Sequence, residues 1–74
     1  MDWFFEDFLN VEMGYYDDVC ATIAHGASIN GVMFEAQLFD DGEFLIGEGP
    51  FASLDDAKRW CETVAPQFAV GIAA

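Results

Sequence analysis

The chain has 74 residues, of which 14 are Asp or Glu and only 2 are Lys or Arg, so its formal net charge at pH 7 is -12. A single domain spanning residues 1-74 is expected at this length, with roughly 60% of the unfolded surface buried on folding. The apolar fraction of 54% excludes an acidic disordered tail, and the negative charge excludes direct binding to nucleic acid or to anionic membranes.

The first segment is aromatic and acidic. The apolar side chains that recur there at helical spacing are Trp3, Phe4, Phe5, Phe8 and Leu9. Because Asp2 can serve as an N-cap, we expect a short N-terminal helix over residues 2–11, with Gly14 as the residue that breaks it. Its aromatic side chains either pack on the core or contact a partner, and both interpretations stay open.

Residues 19–25 fit either a helix or a strand. Val19, Ala21 and Ile23 alternate as in a half-buried strand, while Tyr16, Cys20 and Ile23 also fit a helix. Since a two-stranded hairpin alone is marginal in water, we assign this segment as a third strand.

A hairpin is encoded downstream by residues 32–39 and 43–48, which flank Asp40, Asp41 and Gly42. A three-residue loop with Gly42 in the left-handed region would bring most apolar side chains to one face of the sheet. The side chains expected on that face are Phe34, Ala36, Leu38, Phe44 and Ile46. Those expected to point to solvent are Glu35, Gln37 and Glu43.

A helix is expected over residues 53–65, with Ser53 as its N-cap and Pro66 as its end. Its buried stripe comprises Leu54, Ala57, Cys61 and Val64, with Trp60 at the side. Residues 67–74 are apolar and small, and we expect an edge strand or a packed tail. The expected fold class is therefore α+β: a small antiparallel sheet of about three strands packed against a C-terminal helix, with a short N-terminal helix.

Catalytic residue types are scarce in this chain. His25 with Cys20 or Cys61 could in principle form a nucleophilic pair, but an isolated histidine is usually a surface residue. An EF-hand built around Gly42 fails because Phe39 would occupy a ligand position. We therefore expect no enzyme activity, no cofactor and no metal site, and we expect both thiols to be reduced and buried.

The excess of negative charge is the feature that local structure does not explain. Asp55 and Asp56 suit the first turn of a helix. A small domain needs a net charge of only about 2 to 8 for solubility, and this chain exceeds that range. The acidic residues that we expect to bind a partner are Asp17, Asp18, Glu35, Asp40, Asp41, Glu43 and Glu48.

In size, charge and lack of catalytic residues, the chain resembles the small acidic DNA-mimic inhibitors of phages and other mobile elements, including anti-CRISPR and anti-restriction proteins. A hairpin followed by a helix adds to this resemblance, through Phe34, Ala36, Leu38, Phe51, Ser53, Leu54, Ala57, Lys58 and Trp60. The resemblance implies a non-enzymatic inhibitor that occupies the basic nucleic-acid-binding surface of a protein. The expected partner is a CRISPR effector complex, and otherwise a restriction enzyme, in the cytoplasm of the host cell.

Two other functions stay open. The chain could be an acidic adaptor or oligomerising module for a basic partner unrelated to DNA, with a homodimer seam along residues 68–74. It could also be a small enzyme or metal-binding domain. No run of 18 apolar residues is present, and Glu6 and Asp7 stand where a signal peptide needs basic residues. We therefore expect a cytoplasmic protein without a membrane partner.

Overall fold

The computed structural model describes residues 1–28 and 31–71, and within that part of the chain it shows an α+β fold with one sheet and one helix. The sheet is antiparallel and its five strands follow each other in chain order. The elements are β1 (Asp2–Glu6), β2 (Val11–Tyr16), β3 (Val19–Ser28), β4 (Gly31–Asp40), β5 (Glu43–Phe51) and α1 (Leu54–Gly71).

The core lies between α1 and one face of the sheet, here called the inner face. Alternate residues of β3 and β4 point toward α1, because successive side chains of a strand point to opposite faces. The buried apolar residues are Val19, Ala21, Ile23, Ala36, Leu38, Ala57, Cys61 and Ala65. The opposite face, here called the open face, carries no helix within the described residues. The expected cover of the sheet by the last helix is thus confirmed for one face.

The expected N-terminal helix is wrong, because residues 2–16 form the β1–β2 hairpin. Aromatic residues favour strands as well as fitting helical spacing, and here the strand preference prevails.

The four-residue turn between Glu6 and Val11 is held by two hydrogen bonds to Glu6. The backbone N–H of Leu9 donates to Glu6 Oε2 at 2.6 Å, and the N–H of Asn10 donates to the Glu6 carbonyl at 2.8 Å. Asn10 has a φ of 59°, a left-handed conformation that Asn tolerates.

The edge strand β1 is tied to α1 through Trp3. The indole N–H of Trp3 donates to Glu62 Oε2 at 3.0 Å, and Lys58 Nζ lies 5.6 Å from the centre of the Trp3 ring. Gly14 pairs with Trp3 in the neighbouring strand, and a Cβ at this position would lie 2.8 Å from Met1 Sδ. The sequence analysis expected Gly14 to break a helix. In the structure Gly14 lies in β2, where the absence of a side chain makes room for Met1 and Trp3.

The assignment of residues 19–25 as a strand is confirmed, since they form most of β3. Val19, Ala21 and Ile23 are all buried beneath α1, as their alternation predicts. The expected number of about three strands is wrong, because β1 and β2 extend the sheet to five.

The β4–β5 hairpin is confirmed, but its loop and register differ from the expectation. Asp40 pairs with Glu43, so the loop contains only Asp41 and Gly42, whose φ values are 51° and 83°. Two consecutive positive φ values define the turn type that Asp-Gly favours, and its twist matches that of the strands. Leu38 pairs with Ile46 while Phe39 pairs with Phe44, so Leu45 is an extra residue in a β-bulge.

The bulge moves Phe44 to the open face, where its ring lies 5.9 Å from that of Phe39. The expected placement of Phe44 on the same face as Leu38 is therefore wrong. A second register shift, between Phe34 and Ala36, extends β5 beyond the expected end at Glu48 to Phe51.

The helix begins as expected and ends later. The backbone N–H of Asp56 donates to Ser53 Oγ at 3.1 Å, which confirms Ser53 as the N-cap. Pro66 lies inside α1 and does not end it at Ala65. The apolar face continues beyond Pro66, where Phe68 packs on the core, and this packing offsets the missing backbone hydrogen bond.

The expected strand or tail at residues 67–74 is corrected in part, because residues 67–71 are helical and residues 72–74 lie outside the described residues. No helix in the described part of the chain is long and apolar enough to span a membrane.

The unequal burial of two cross-strand partners yields a stability test. Leu38 is fully buried, whereas Ile46 is 38% exposed at the edge of the sheet. We expect Leu38→Ala to lower the free energy of unfolding by about 2 to 5 kcal/mol, because it leaves a cavity under α1. Ile46→Ala should cost only about 1 kcal/mol. Urea denaturation measures both, and equal losses would contradict this placement of the core.

Candidate functional site

Five of the seven acidic residues expected to bind a partner lie together at one end of the sheet. Asp17 and Asp18 form the β2–β3 turn, and Asp41 belongs to the β4–β5 turn. The two turns are neighbours because β3 pairs with β4, so that Val19 lies opposite Asp40. The set here called the acidic end is Asp17, Asp18, Asp40, Asp41 and Glu43.

The backbone presents these carboxylates to solvent. Asp17 and Asp41 have φ values of 53° and 51°, and the short turns that they begin project beyond the strands. Asp18, Asp40 and Asp41 line a shallow depression of about 380 Å³. Asp40 is half-buried and the other four residues of the acidic end are exposed.

The acidic end has no internal counter-charge. Lys58 Nζ lies 3.9 Å from Glu12 Oε2, and Arg59 Nη1 lies 3.5 Å from Asp56 Oδ1. Both cationic side chains of the protein are therefore engaged along α1. Within the described residues, no ion pair or side-chain hydrogen bond reaches the acidic end. Its carboxylates are free to pair with cations of another molecule.

The other two expected residues lie apart from the acidic end. Glu35 lies on β4 and Glu48 on β5, and both help to line a shallow groove of about 240 Å³. Glu48 Oε1 accepts a hydrogen bond from the backbone N–H of Gly49 at 3.2 Å. The seven residues therefore do not form one contiguous site.

The open face carries a feature that the sequence analysis missed. Consecutive cross-strand partners place Tyr15, Cys20, Phe39 and Phe44 in one row across four strands. Phe4 stacks on Tyr15 with ring centres 6.3 Å apart. The rings here called the open-face aromatics are Phe4, Tyr15, Phe39 and Phe44. The alternation of β2 could have indicated Tyr15, but Phe44 depends on the bulge at Leu45, for which the sequence gives no local signal.

These aromatic side chains remain accessible beside the acidic end. Phe4, Tyr15 and Phe44 are 46%, 54% and 58% exposed. Asp17 and Asp41 follow Tyr15 and Phe39 by two positions and begin the turns at this end of the sheet. The turn carboxylates therefore border the open-face aromatics, whereas Asp40 and Glu43 are in the row of buried Val19 and point to the inner face.

The residues considered for catalysis lie in different environments. The ring of His25 contacts those of Phe34 and Phe5, with centres 5.2 and 6.1 Å apart. Cys20 lies on the opposite face of β3 from His25, because the two residues are an odd number of positions, five, apart along the strand. In the described ranges, no group of three or more His, Cys, Asp or Glu side chains could hold a metal ion.

Both cysteines are free thiols, but their burial differs. Cys61 is fully buried, as expected, and burial together with the nearby Glu62 raises its pKa from 9.0 to about 12. Cys20 is only half-buried, which corrects the expectation for this residue. Burial raises the pKa of Cys20 as well, while a hydrogen bond from Tyr15 opposes this effect.

Comparison of the chain with known protein families, with curated proteins and with solved structures finds no match. The site is therefore interpreted from its own geometry and charge.

Repulsion among the uncompensated carboxylates of the acidic end should lower the stability of the free protein. Replacing Asp18→Asn, Asp41→Asn and Glu43→Gln together should raise the melting temperature at low ionic strength, because it relieves mutual repulsion. The gain should disappear at about 0.5 M salt, where screening acts over roughly 4 Å. Thermal unfolding followed by circular dichroism measures the effect.

The control for this stability test is Asp55→Asn with Asp56→Asn. That pair should lower stability by about 0.3 to 1 kcal/mol per residue, since both carboxylates favour the start of α1. A melting temperature that falls equally in both variants would show that the acidic end is not under electrostatic strain.

The thiols should react in a fixed order. In the native state a disulfide reagent should label Cys20 with a rate that rises with pH, because only the thiolate reacts. Cys61 should react only on unfolding. Since the pKa of Cys61 is raised to about 12, its contribution to stability is complete below pH 9 and is lost as pH rises toward 12. In the Cys20→Ala variant Cys61 is the one remaining cysteine, so mass spectrometry measures its labelling alone. Rapid labelling of the native variant would contradict the burial of Cys61.

Proposed function

We propose that this protein is a non-enzymatic inhibitor that binds the basic nucleic-acid-binding surface of another protein by DNA mimicry. The expected target is a CRISPR effector complex, which the inhibitor would prevent from binding its target DNA, and otherwise a restriction enzyme. The observation that carries the proposal is the acidic end, where five carboxylates without internal counter-charge lie on two adjacent turns.

The chemistry of this surface suits groups that normally hold phosphates. Arg and Lys side chains that contact DNA phosphates also form charge-assisted hydrogen bonds with carboxylates. Asp41 and Glu43 are exposed, so a cationic side chain can approach each without displacing another part of the protein. The repulsion among these carboxylates in the free protein would be relieved when a basic partner binds.

The dimensions and charge of the protein support mimicry of a nucleic acid. Its extents are 44 × 22 × 20 Å, and it carries a net charge of -12. A DNA duplex of 44 Å carries about 26 phosphate charges, or about 13 on each strand. The net charge along the protein therefore approximates that of one strand of a duplex of the same length.

A second function is favoured by a different observation. The open-face aromatics provide an apolar surface that electrostatic mimicry does not require, and such surfaces mark protein interaction sites. An acidic adaptor for a basic partner unrelated to DNA would use the same surface. The two functions differ in whether DNA competes for the partner.

Competition with DNA tests the proposal. Purified CRISPR effector complexes and restriction enzymes are each bound to a fluorescent target duplex, and release of the duplex is followed by anisotropy as the protein is added. We expect release from a target, reversed by excess unlabelled duplex, because both ligands need the same cationic groups. The association rate should fall steeply between about 50 and 500 mM salt, as the Debye length shrinks from roughly 14 to 4 Å.

Matched variants locate the competing surface. Asp18→Asn, Asp41→Asn and Glu43→Gln together should weaken inhibition by about tenfold or more. Asp7→Asn, Asp55→Asn and Asp56→Asn remove the same number of charges from other exposed positions and should change inhibition by less than about twofold. A ternary complex with DNA at unchanged affinity would contradict mimicry and favour the adaptor. Equal weakening by both variants would contradict the acidic end as the contact.

A further inference from the structure

The arrangement of the open face points to a preference for one kind of cation. We infer that the open-face aromatics and the acidic end together form a site for arginine side chains of the partner, in preference to lysine. This inference rests on the proposed function in requiring a basic partner, but it does not require that the partner bind DNA.

Rings and turn carboxylates lie together at one end of the sheet. Tyr15, Phe39 and Phe44 lie in the row of the sheet next to the acidic end. Asp17 and Asp41 follow Tyr15 and Phe39 by two positions, where β2 and β4 end, so a cation paired with either turn carboxylate lies beside the row of rings. Asp40 and Glu43 are in the row of buried Val19 and point to the inner face. Phe44 is supported from below by Gly47, where a Cβ would lie 3.4 Å from the Phe44 ring.

Lysine and arginine differ in how they contact aromatic rings. A carboxylate pairs with either lysine or arginine, but the planar guanidinium also stacks on aromatic faces and is more weakly hydrated. Rings that are 46% to 58% exposed offer such faces to a partner. The acidic end alone would bind both cations, and the rings supply the selectivity.

The net charge disfavours a second copy of the chain as the occupant of this surface. Two copies would bring net charges of -12 together, and both cationic side chains of each copy are engaged along α1. Self-association through this face would therefore meet strong repulsion without compensating ion pairs. A basic partner has the complementary charge.

Two peptides of identical length and charge provide the probe. Each is a 12-residue peptide in which glycine or serine alternates with six cationic residues, all arginine in one peptide and all lysine in the other. Fluorescence anisotropy or calorimetry measures the dissociation constant of each at low salt. We expect the arginine peptide to bind about fivefold or more tightly than the lysine peptide, as stacking on one or two exposed rings would produce.

Three variants separate the contributions. Tyr15→Leu with Phe44→Leu keeps apolar surface on both strands but removes the two most exposed of the four open-face aromatics, and it should reduce the preference for arginine. Phe8→Ala removes a ring that is 92% exposed in the β1–β2 turn, away from the site, and should leave the preference unchanged. The acidic-end variant Asp18→Asn, Asp41→Asn and Glu43→Gln should weaken both peptides by a similar factor. Circular dichroism verifies that each variant is folded.

Each outcome is informative. Equal binding of the two peptides to the native protein, or a preference that is undiminished in the double leucine variant, would overturn the arginine site while leaving DNA mimicry intact. Absence of binding by both peptides would contradict the basic partner of the proposed function as well. A stable dimer that is lost in the double leucine variant would identify a second copy as the occupant of the open face and overturn the inference.

Discussion

The packing of α1 across β3 and β4 is the interaction on which the rest of this structure depends. It buries Ile23, Leu38 and Cys61 completely and creates the core between one helix and one face of the sheet. The described part of the chain contains one helix, and a single helix covers only one face of the sheet. The open face, with its aromatic side chains, is therefore a direct consequence of the way the core is built.

The distribution of charge follows from the same packing. Lys58 and Arg59 lie on α1, where they pair with Glu12 and Asp56, and so the positive charge of the protein is confined to the helix side. The charged residues in and beside the turns of the acidic end are all acids. Sheet stability alone does not require five carboxylates there, because Asn and Gly also suit tight turns. The repulsion is a cost to the free protein that a basic partner would offset.

The sequence predicted those parts of the fold that depend on local rules. The cap at Ser53 and the alternation that buries Ile23 are local signals, and both agree with the structure. The strand that contains Trp3 was missed because aromatic residues at this spacing suit a helix equally well, and only pairing with β2 decides between them. The sequence identified the residues of the acidic end as candidates for partner binding. It could not show that they lie together, because that depends on the pairing of β3 with β4. Phe44 was assigned to the wrong face because the bulge at Leu45 reverses the alternation.

The central claim is that the acidic end and the open face bind the partner while α1 does not. Nuclear magnetic resonance of the isotopically labelled protein, titrated with the arginine peptide and then with an inhibited effector complex, tests this claim most directly at a mass of 8.2 kDa. The expected result is a set of chemical-shift changes centred on Asp18, Asp41 and Phe44, with little change at the exposed residues of α1. Changes centred instead on Asp55 and Glu62 would contradict the claim and assign the contact surface to the helix.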